Sequence, residues 1–192
     1  LVGQPARAEE CYRQALARLL PGWTGTSEEA MIRNNLGLAL ISSGDDTAGA
    51  AELEQARALY DQLGQPQGVA RAQINLGQVY RRRGELARAS AAYEEALQVL
   101  RRHGEQRAVI DVLNNLGILA RHQGLLDQAM TYYTDSLVLA QQVGDLGGQA
   151  QALGNLGAIY HEQGLLERAR PCYREALAHY ESLGDLRGQG LM

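Results

Sequence analysis

The tripeptide Asn-Leu-Gly recurs at Asn35-Leu36-Gly37, Asn75-Leu76-Gly77, Asn115-Leu116-Gly117 and Asn155-Leu156-Gly157, a constant step of forty without slippage. Two glycine ladders keep the same step, Gly44, Gly84, Gly124, Gly164 and Gly64, Gly104, Gly144, Gly184. A fixed period in this range builds a stack of like supersecondary units, each hiding its apolar side against the next, in place of a globule with one centre.

The pattern inside one period identifies the unit. Between Ala150 and Gly184, the residues Ala152, Leu153, Leu156, Ile159 and Tyr160 recur at helical spacing until Gly164 ends the run. Leu166, Ala169, Tyr173, Ala176, Leu177, Tyr180 and Leu183 form a second stripe of three-and-four spacing that stops at Gly184. No strand-like alternation occurs, so each unit reads as two helices joined by a tight turn. Gly164 and Gly184 stand where a left-handed residue closes a helix at little steric cost. Gly157 lies inside a helix, where it costs about 1 kcal/mol against Ala; the expected compensation is close approach of the second helix through its small residues Ala169 and Ala176. Thr26-Ser27-Glu28-Glu29 reads as a capping box with Thr26 as the cap, and Pro5 and Pro66 sit near first helical positions. Pro171 falls a few residues into a second helix, which predicts a local distortion there or a helix that begins later.

The resulting organisation is a single array over 1–192. A truncated unit contributes a second helix at 3–22, with Gly3 standing where Gly44 stands in the next unit. Full units follow at 26–64, 65–104, 105–144 and 145–184, and 185–192 opens another, because Asp185-Leu186-Arg187-Gly188-Gln189 copies Asp145-Leu146-Gly147-Gly148-Gln149. Neither end has the polar outer face of a capping unit, so the expectation is an excerpt of a longer array.

These motifs resemble the tetratricopeptide repeat. That family places Leu and Gly in the middle of a first helix, an aromatic three later, Gly at the turn, then Ala, aromatic and Ala on the second helix. The chain reads Leu76-Gly77, Tyr80, Gly84, Ala89, Tyr93, Ala96, and again Leu156-Gly157, Tyr160, Gly164, Ala169, Tyr173, Ala176. The third unit has Leu116-Gly117, Ala120, Gly124, Ala129, Tyr133 and Ser136; the first is weaker, with Leu40, Gly49, Leu53 and Ala56. The resemblance implies an all-α, right-handed superhelix of about nine helices. The common unit is about 34 residues long and closes on a Pro; here the unit is longer by more than a helical turn and lacks that Pro. The longer form is similar to the arrays of kinesin light chains, of Pins/LGN-type scaffolds and of bacterial regulators such as the maltose activator and signal-transduction ATPases. Pro171 also resembles a proline of kinesin-light-chain repeats.

In this family the working surface is the concave wall of first helices. Carried over by position, it comprises Met31, Asn34, Asn35, Leu38, Ile41 and Ser42; then Arg71, Ile74, Asn75, Gln78, Arg81 and Arg82; then Asp111, Asn114, Asn115, Ile118, Arg121 and His122; and last Gln151, Gly154, Asn155, Ala158, His161 and Glu162. Arg71, Arg81, Arg82 and Arg121 outnumber Asp111 and Glu162 on a chain of net charge −4. A basic wall suits an acidic ligand, since the guanidinium fork donates two parallel hydrogen bonds to a carboxylate; the same arginines also serve as solvated helix ends. The Asn amides offer donor and acceptor to a peptide backbone, or bond the neighbouring unit. The apolar members Met31, Leu38, Ile41, Ile74 and Ile118 complete a surface for a peptide mixing acidic and apolar residues. The chaperone-tail clamp of the family is not reproduced, because Asn115 or Asn155 stands where its last Arg would be. Tyr12, Tyr93, Tyr133 and Tyr173 read as core.

Composition narrows the function. All 18 basic residues are Arg and Phe is absent, the mark of a GC-rich, bacterial source. The net negative charge argues against a nucleic-acid surface. The expectation is a chain without a leader, no apolar run of membrane length occurs, and two cysteines far apart in sequence, Cys11 and Cys172, lack metal spacing and read as partly buried small residues that form no disulfide with each other. The expected location is therefore the cytoplasm. His103, His122, His161 and His179 fit no zinc-protease helix, and no serine nucleophile turn occurs. The reading is a non-enzymatic, cofactor-free module that binds protein or peptide within a regulatory protein. Three alternatives stand beside it: a small-molecule inducer sensor, disfavoured because the wall holds no aromatic residue, an architectural spacer, and an array that self-associates end to end.

Overall fold

The computed structural model describes residues 4–18 and 23–185. The expectations for Gly3 and for the closing copy after Asp185 lie outside them. Nine helices and no strand occur among the described residues, so the fold is all-α: α1 Gln4–Ala17, α2 Ser27–Ser43, α3 Asp46–Gln62, α4 Pro66–Arg82, α5 Leu86–His103, α6 Gln106–His122, α7 Leu126–Val143, α8 Leu146–Glu162 and α9 Leu166–Leu183. The chain divides into two compact units, Leu1–Val99 and Leu100–Met192.

Each turn closes in the same way. The eight glycines of the two ladders all have positive φ, between 64° and 97°. At Gly144 the N–H reaches the Gln141 carbonyl at 3.3 Å, and the next N–H, of Asp145, reaches back to Ala140 at 2.9 Å. The left-handed residue thus satisfies carbonyls that the helix end leaves open. Asp145 then starts α8 by accepting the Gly148 N–H on its side chain. Thr26 caps α2 by accepting the Glu29 N–H at 3.4 Å. Glu29 reaches one residue beyond the usual box, to the Gly25 N–H at 2.7 Å. That bond, followed by the Arg33 guanidinium, outweighs partial burial and lowers the Glu29 pKa.

Within the first unit, Leu36 and Leu40 of α2 are buried together with Leu53 and Ala56 of α3. Tyr60 closes a cluster with Ala30 and Ala56, with Leu59 and Val69 packed against it. Arg33 ties α2 to α3, reaching Glu29 and, at 2.9 Å, Glu52. Within the second unit, Ala120, Ala129, Tyr133, Leu156 and Ile159 form one buried cluster spanning α6, α7 and α8.

The mid-helix glycines correct the expectation of small residues facing small residues. A Cβ at Gly117 would fall 2.4 Å from Cε1 of Tyr133, at Gly77 2.5 Å from Cε1 of Tyr93, and at Gly157 2.9 Å from Cε1 of Tyr173. The missing methyl makes room for a tyrosine ring lying against the first helix. In the weaker first unit, Gly37 instead meets Leu53 Cγ at 2.8 Å and the Gly49 carbonyl at 2.9 Å. Tyr93 and Tyr133 are fully buried, whereas Tyr12 and Tyr173 are half-buried. Pro171 sits inside α9, which starts in register with α5 and α7, so the later start does not occur. Cys11 is exposed, not partly buried, and Cys172 is half-buried; both are free.

Candidate functional site

The wall positions divide between the two units. In the first, α2 and α4 supply them. Met31 (48% exposed) and Leu38 (36%) project outward, as does Arg71, while Asn35, Ile74, Asn75, Gln78 and Arg81 are half-buried. Asn34 is a correction: it is buried, and its amide oxygen accepts from Asn75 Nδ2 at 3.0 Å, joining α2 to α4. In the second unit, Asn114 is likewise buried and structural. Its Nδ2 donates to Ser136 Oγ at 2.9 Å and to Gln151 Oε1 at 3.2 Å, joining α6 to α7 and α8. Asn34 and Asn114 therefore hold neighbouring helices together, because a buried amide must find partners inside the protein. Asn115, Ile118 and Asn155 stay half-buried on the face, and His122 is exposed.

The charges behave differently from the simple count. Arg82 pairs with Asp46 at 3.1 Å, without hydrogen-bond alignment to that oxygen, and donates to the Ile41 carbonyl at 3.3 Å. Arg121 donates through Nε to Glu162 at 3.0 Å and closes a second contact through Nη2. Two of the four arginines are thus neutralised by acids of neighbouring helices. Arg71 and Arg81 have no ion-pair partner among the described residues, so the unpaired arginines of the wall both lie in the first unit. Asp111 of the second unit is exposed at its surface, yet desolvation by the surrounding protein, aided by the Asp145 carboxylate, raises its pKa.

The sequence reading missed what lies beneath the arginines. The tyrosine rings that run against Gly77 and Gly117 bring buried hydroxyls, without hydrogen-bond partners, up to the wall. Burial pushes the pKa of the Tyr93 hydroxyl up, against a smaller downward pull from nearby Arg81. Burial pushes the Tyr133 hydroxyl up to about 12, with Arg121 pulling down and Glu162 pushing up. The shared offset of Arg81 from Tyr93 and of Arg121 from Tyr133, with Gly four residues before each Arg, was the available signal. Also unforeseen is a cleft of about 310 Å³ in the second unit that combines Arg121, Gln151 and Asn155 with Tyr173 and Tyr180. Its tyrosines come from α9 and not from the first-helix wall, which itself holds no aromatic residue. Asn155 Nδ2 is buried there without a partner.

Among the described residues no cluster of three or more His, Cys, Asp or Glu side chains is placed to hold a metal ion. No helix among them is long and apolar enough to cross a membrane.

Paired antiparallel helices with left-handed glycine turns, repeating at one constant step along the sequence, define an α-helical repeat protein. The tetratricopeptide repeat family model matches residues 28–102 and 108–182, and the chain belongs to that family. Among solved structures, it is similar to BtubC (BKLC) from P. vanneervenii, with 25% identity, a TM-score of 0.82, and coverage of 95% of this chain and 76% of that one. It is similar in fold to the Rap conjugation gene regulator of plasmid pLS20, solved in complex with the Phr* peptide: 17% identity, TM-score 0.82, 98% of this chain and 51% of that one. A Podosopora anserina putative kinesin light chain of nearly identical TPR-like repeats has 15% identity and a TM-score of 0.75 over 95% of this chain and 89% of its own. No curated protein matches the sequence.

Proposed function

We propose that this chain is a protein- or peptide-binding module acting through the first-helix face of each unit, within a larger bacterial regulatory protein of the cytoplasm, and that it has no catalytic role. The observation that carries this reading is the face of α2 and α4: exposed Met31 and Leu38 stand on the same wall as Arg71 and Arg81, which no acid among the described residues neutralises. Apolar anchors with adjacent unpaired guanidinium groups suit a segment mixing apolar and acidic residues. Half-buried Asn75 and Gln78 add amide groups for a peptide backbone. The fold's occurrence in a Rap protein complexed with a peptide supports the same reading.

Fluorescence anisotropy with a library of labelled dodecapeptides of mixed acidic and apolar residues tests it. Arg71→Glu with Arg81→Glu is expected to weaken the best binders about tenfold or more, from two reversed charges worth roughly 1 kcal/mol each, with helicity unchanged by circular dichroism. Unchanged affinity would remove the face from consideration. A second reading, a small polar ligand, is favoured by the Tyr173–Tyr180 cleft, whose size falls within the range of ligand pockets. A thermal-shift screen in which Tyr180→Ala abolishes a small-molecule response would support it over the peptide reading.

A further inference from the structure

The start of α4 leaves donors without acceptors. Pro66 occupies the first helical position and has no N–H, so the amides of Gln67 and Gly68 are the first ones open. Val69 is the first to find a helical acceptor, the Gln65 carbonyl at 3.1 Å. Gln65 gives no side-chain cap, and its amide oxygen instead accepts from Ser27 Oγ at 3.0 Å. The two open residues face a cleft of about 280 Å³ that also receives Met31, Tyr60 and Arg71, and that no carboxylate lines.

Tyr60 supplies an independent observation. It is only 5% exposed, and its ring lies against Gly68, where a Cβ would sit 2.4 Å from Cδ1. Tyr60 lines the cleft, and its hydroxyl has no hydrogen-bond partner among the described residues. Burial raises its pKa more than nearby Arg71 lowers it, so it remains a proton donor at neutral pH. A hydroxyl without an acceptor inside the protein is free to donate to one that enters the cleft. Arg71 is exposed and has no ion-pair partner among the described residues.

We propose that this cleft is a carboxylate subsite, in which the Gln67 and Gly68 amides, the Tyr60 hydroxyl and the Arg71 guanidinium donate to one carboxylate of a bound polypeptide while Met31 covers an apolar residue beside it. A carboxylate offers about four lone-pair sites, which matches the four donor groups. The positive end of α4 and the planar Arg fork both favour an anion. The assignment rests on the peptide-binding reading above and names the chemistry of one anchor.

Amide NMR on the full chain tests it. Sodium acetate is titrated against sodium chloride at constant ionic strength, followed by Ac-Leu-Asp-NH2 (side-chain carboxylate only) and Ac-Ala-Leu-OH (terminal carboxylate only). The Gln67 and Gly68 amides are expected to move saturably with acetate and not with chloride. The dipeptide carrying the fitting carboxylate should bind more tightly than acetate and so identify its source. Arg71→Gln should weaken acetate binding about tenfold and Tyr60→Phe, which keeps the ring on Gly68, about threefold. Motionless amides, an equal response to chloride, unchanged affinity in both variants, or displacement of acetate by equimolar inorganic phosphate would overturn the proposal. Peptides that bind in the anisotropy assay without moving these amides would refute the subsite alone. Saturable acetate binding with no peptide bound at all would leave the subsite standing and count against the peptide reading.

Discussion

Substitution of Gly117 by Ala sets two effects against each other. In an open helix, Gly→Ala stabilises by up to about 1 kcal/mol. Here the new methyl would lie 2.4, 2.7 and 2.8 Å from three carbons of the Tyr133 ring, which is fully buried. Ordinary carbon contact begins at ~3.5 Å, so the ring must retreat by about 1 Å into a packed core. Overpacking of this kind costs roughly 1–3 kcal/mol, which less the propensity gain leaves a net destabilisation of up to about 2 kcal/mol. The assay is urea denaturation followed by circular dichroism in the far ultraviolet, with Gly147→Ala as internal control. A Cβ at Gly147 would meet nothing closer than Asp145 Oδ1 at 3.5 Å, so that variant should gain about 0.5 kcal/mol. Replacing Tyr133 by Leu relieves the clash, and Gly117→Ala in that background should cost less than alone. The account of the mid-helix glycines fails if Gly117→Ala stabilises the wild-type chain as much as Gly147→Ala does.

Asn75→Ala should destabilise by about 1–3 kcal/mol, because it strips the buried Asn34 amide oxygen of its 3.0 Å donor; thermal unfolding within experimental error of wild type would contradict the structural role. Asp111 has a raised pKa in the fold, so its charged form is disfavoured there and costs stability above the folded pKa, a cost absent below the unfolded one. Asp111→Asn should accordingly raise the unfolding midpoint at pH 7 and lose this advantage at pH ~3; a gain that persists at low pH would show another cause. Glu29 has the opposite sign: its lowered pKa contributes stability above the ordinary Glu value that fades as pH falls through the folded one, so Glu29→Gln should flatten the acid limb of the stability curve. Arg121→Gln, at a partly exposed ion pair, should cost at most about 1 kcal/mol and less in high salt, as chemical denaturation at two ionic strengths would reveal.

The family and the hairpin architecture were legible in the residues alone. A constant step in Asn-Leu-Gly and in two glycine ladders fixes where helices turn, because left-handed backbone at each turn is cheap only for glycine. Apolar stripes at helical spacing fix which sides face inward, since burial follows the helix period. Which wall residues are free to bind anything was not legible. Asn34 and Asn35 are adjacent amides in the sequence, yet one is sealed by Asn75 and the other remains half-exposed. Arg81 and Arg82 are adjacent guanidiniums, yet only Arg82 finds an acid, on α3. Those outcomes depend on contacts between helices distant in sequence, where a small rotation of one helix decides whether two polar groups meet. Local periodicity carries the direction of a side chain but not the identity of what it meets, so the tertiary structure alone decided that Gly117 accommodates Tyr133 and that, of the four wall arginines, Arg82 and Arg121 find acids while Arg71 and Arg81 do not.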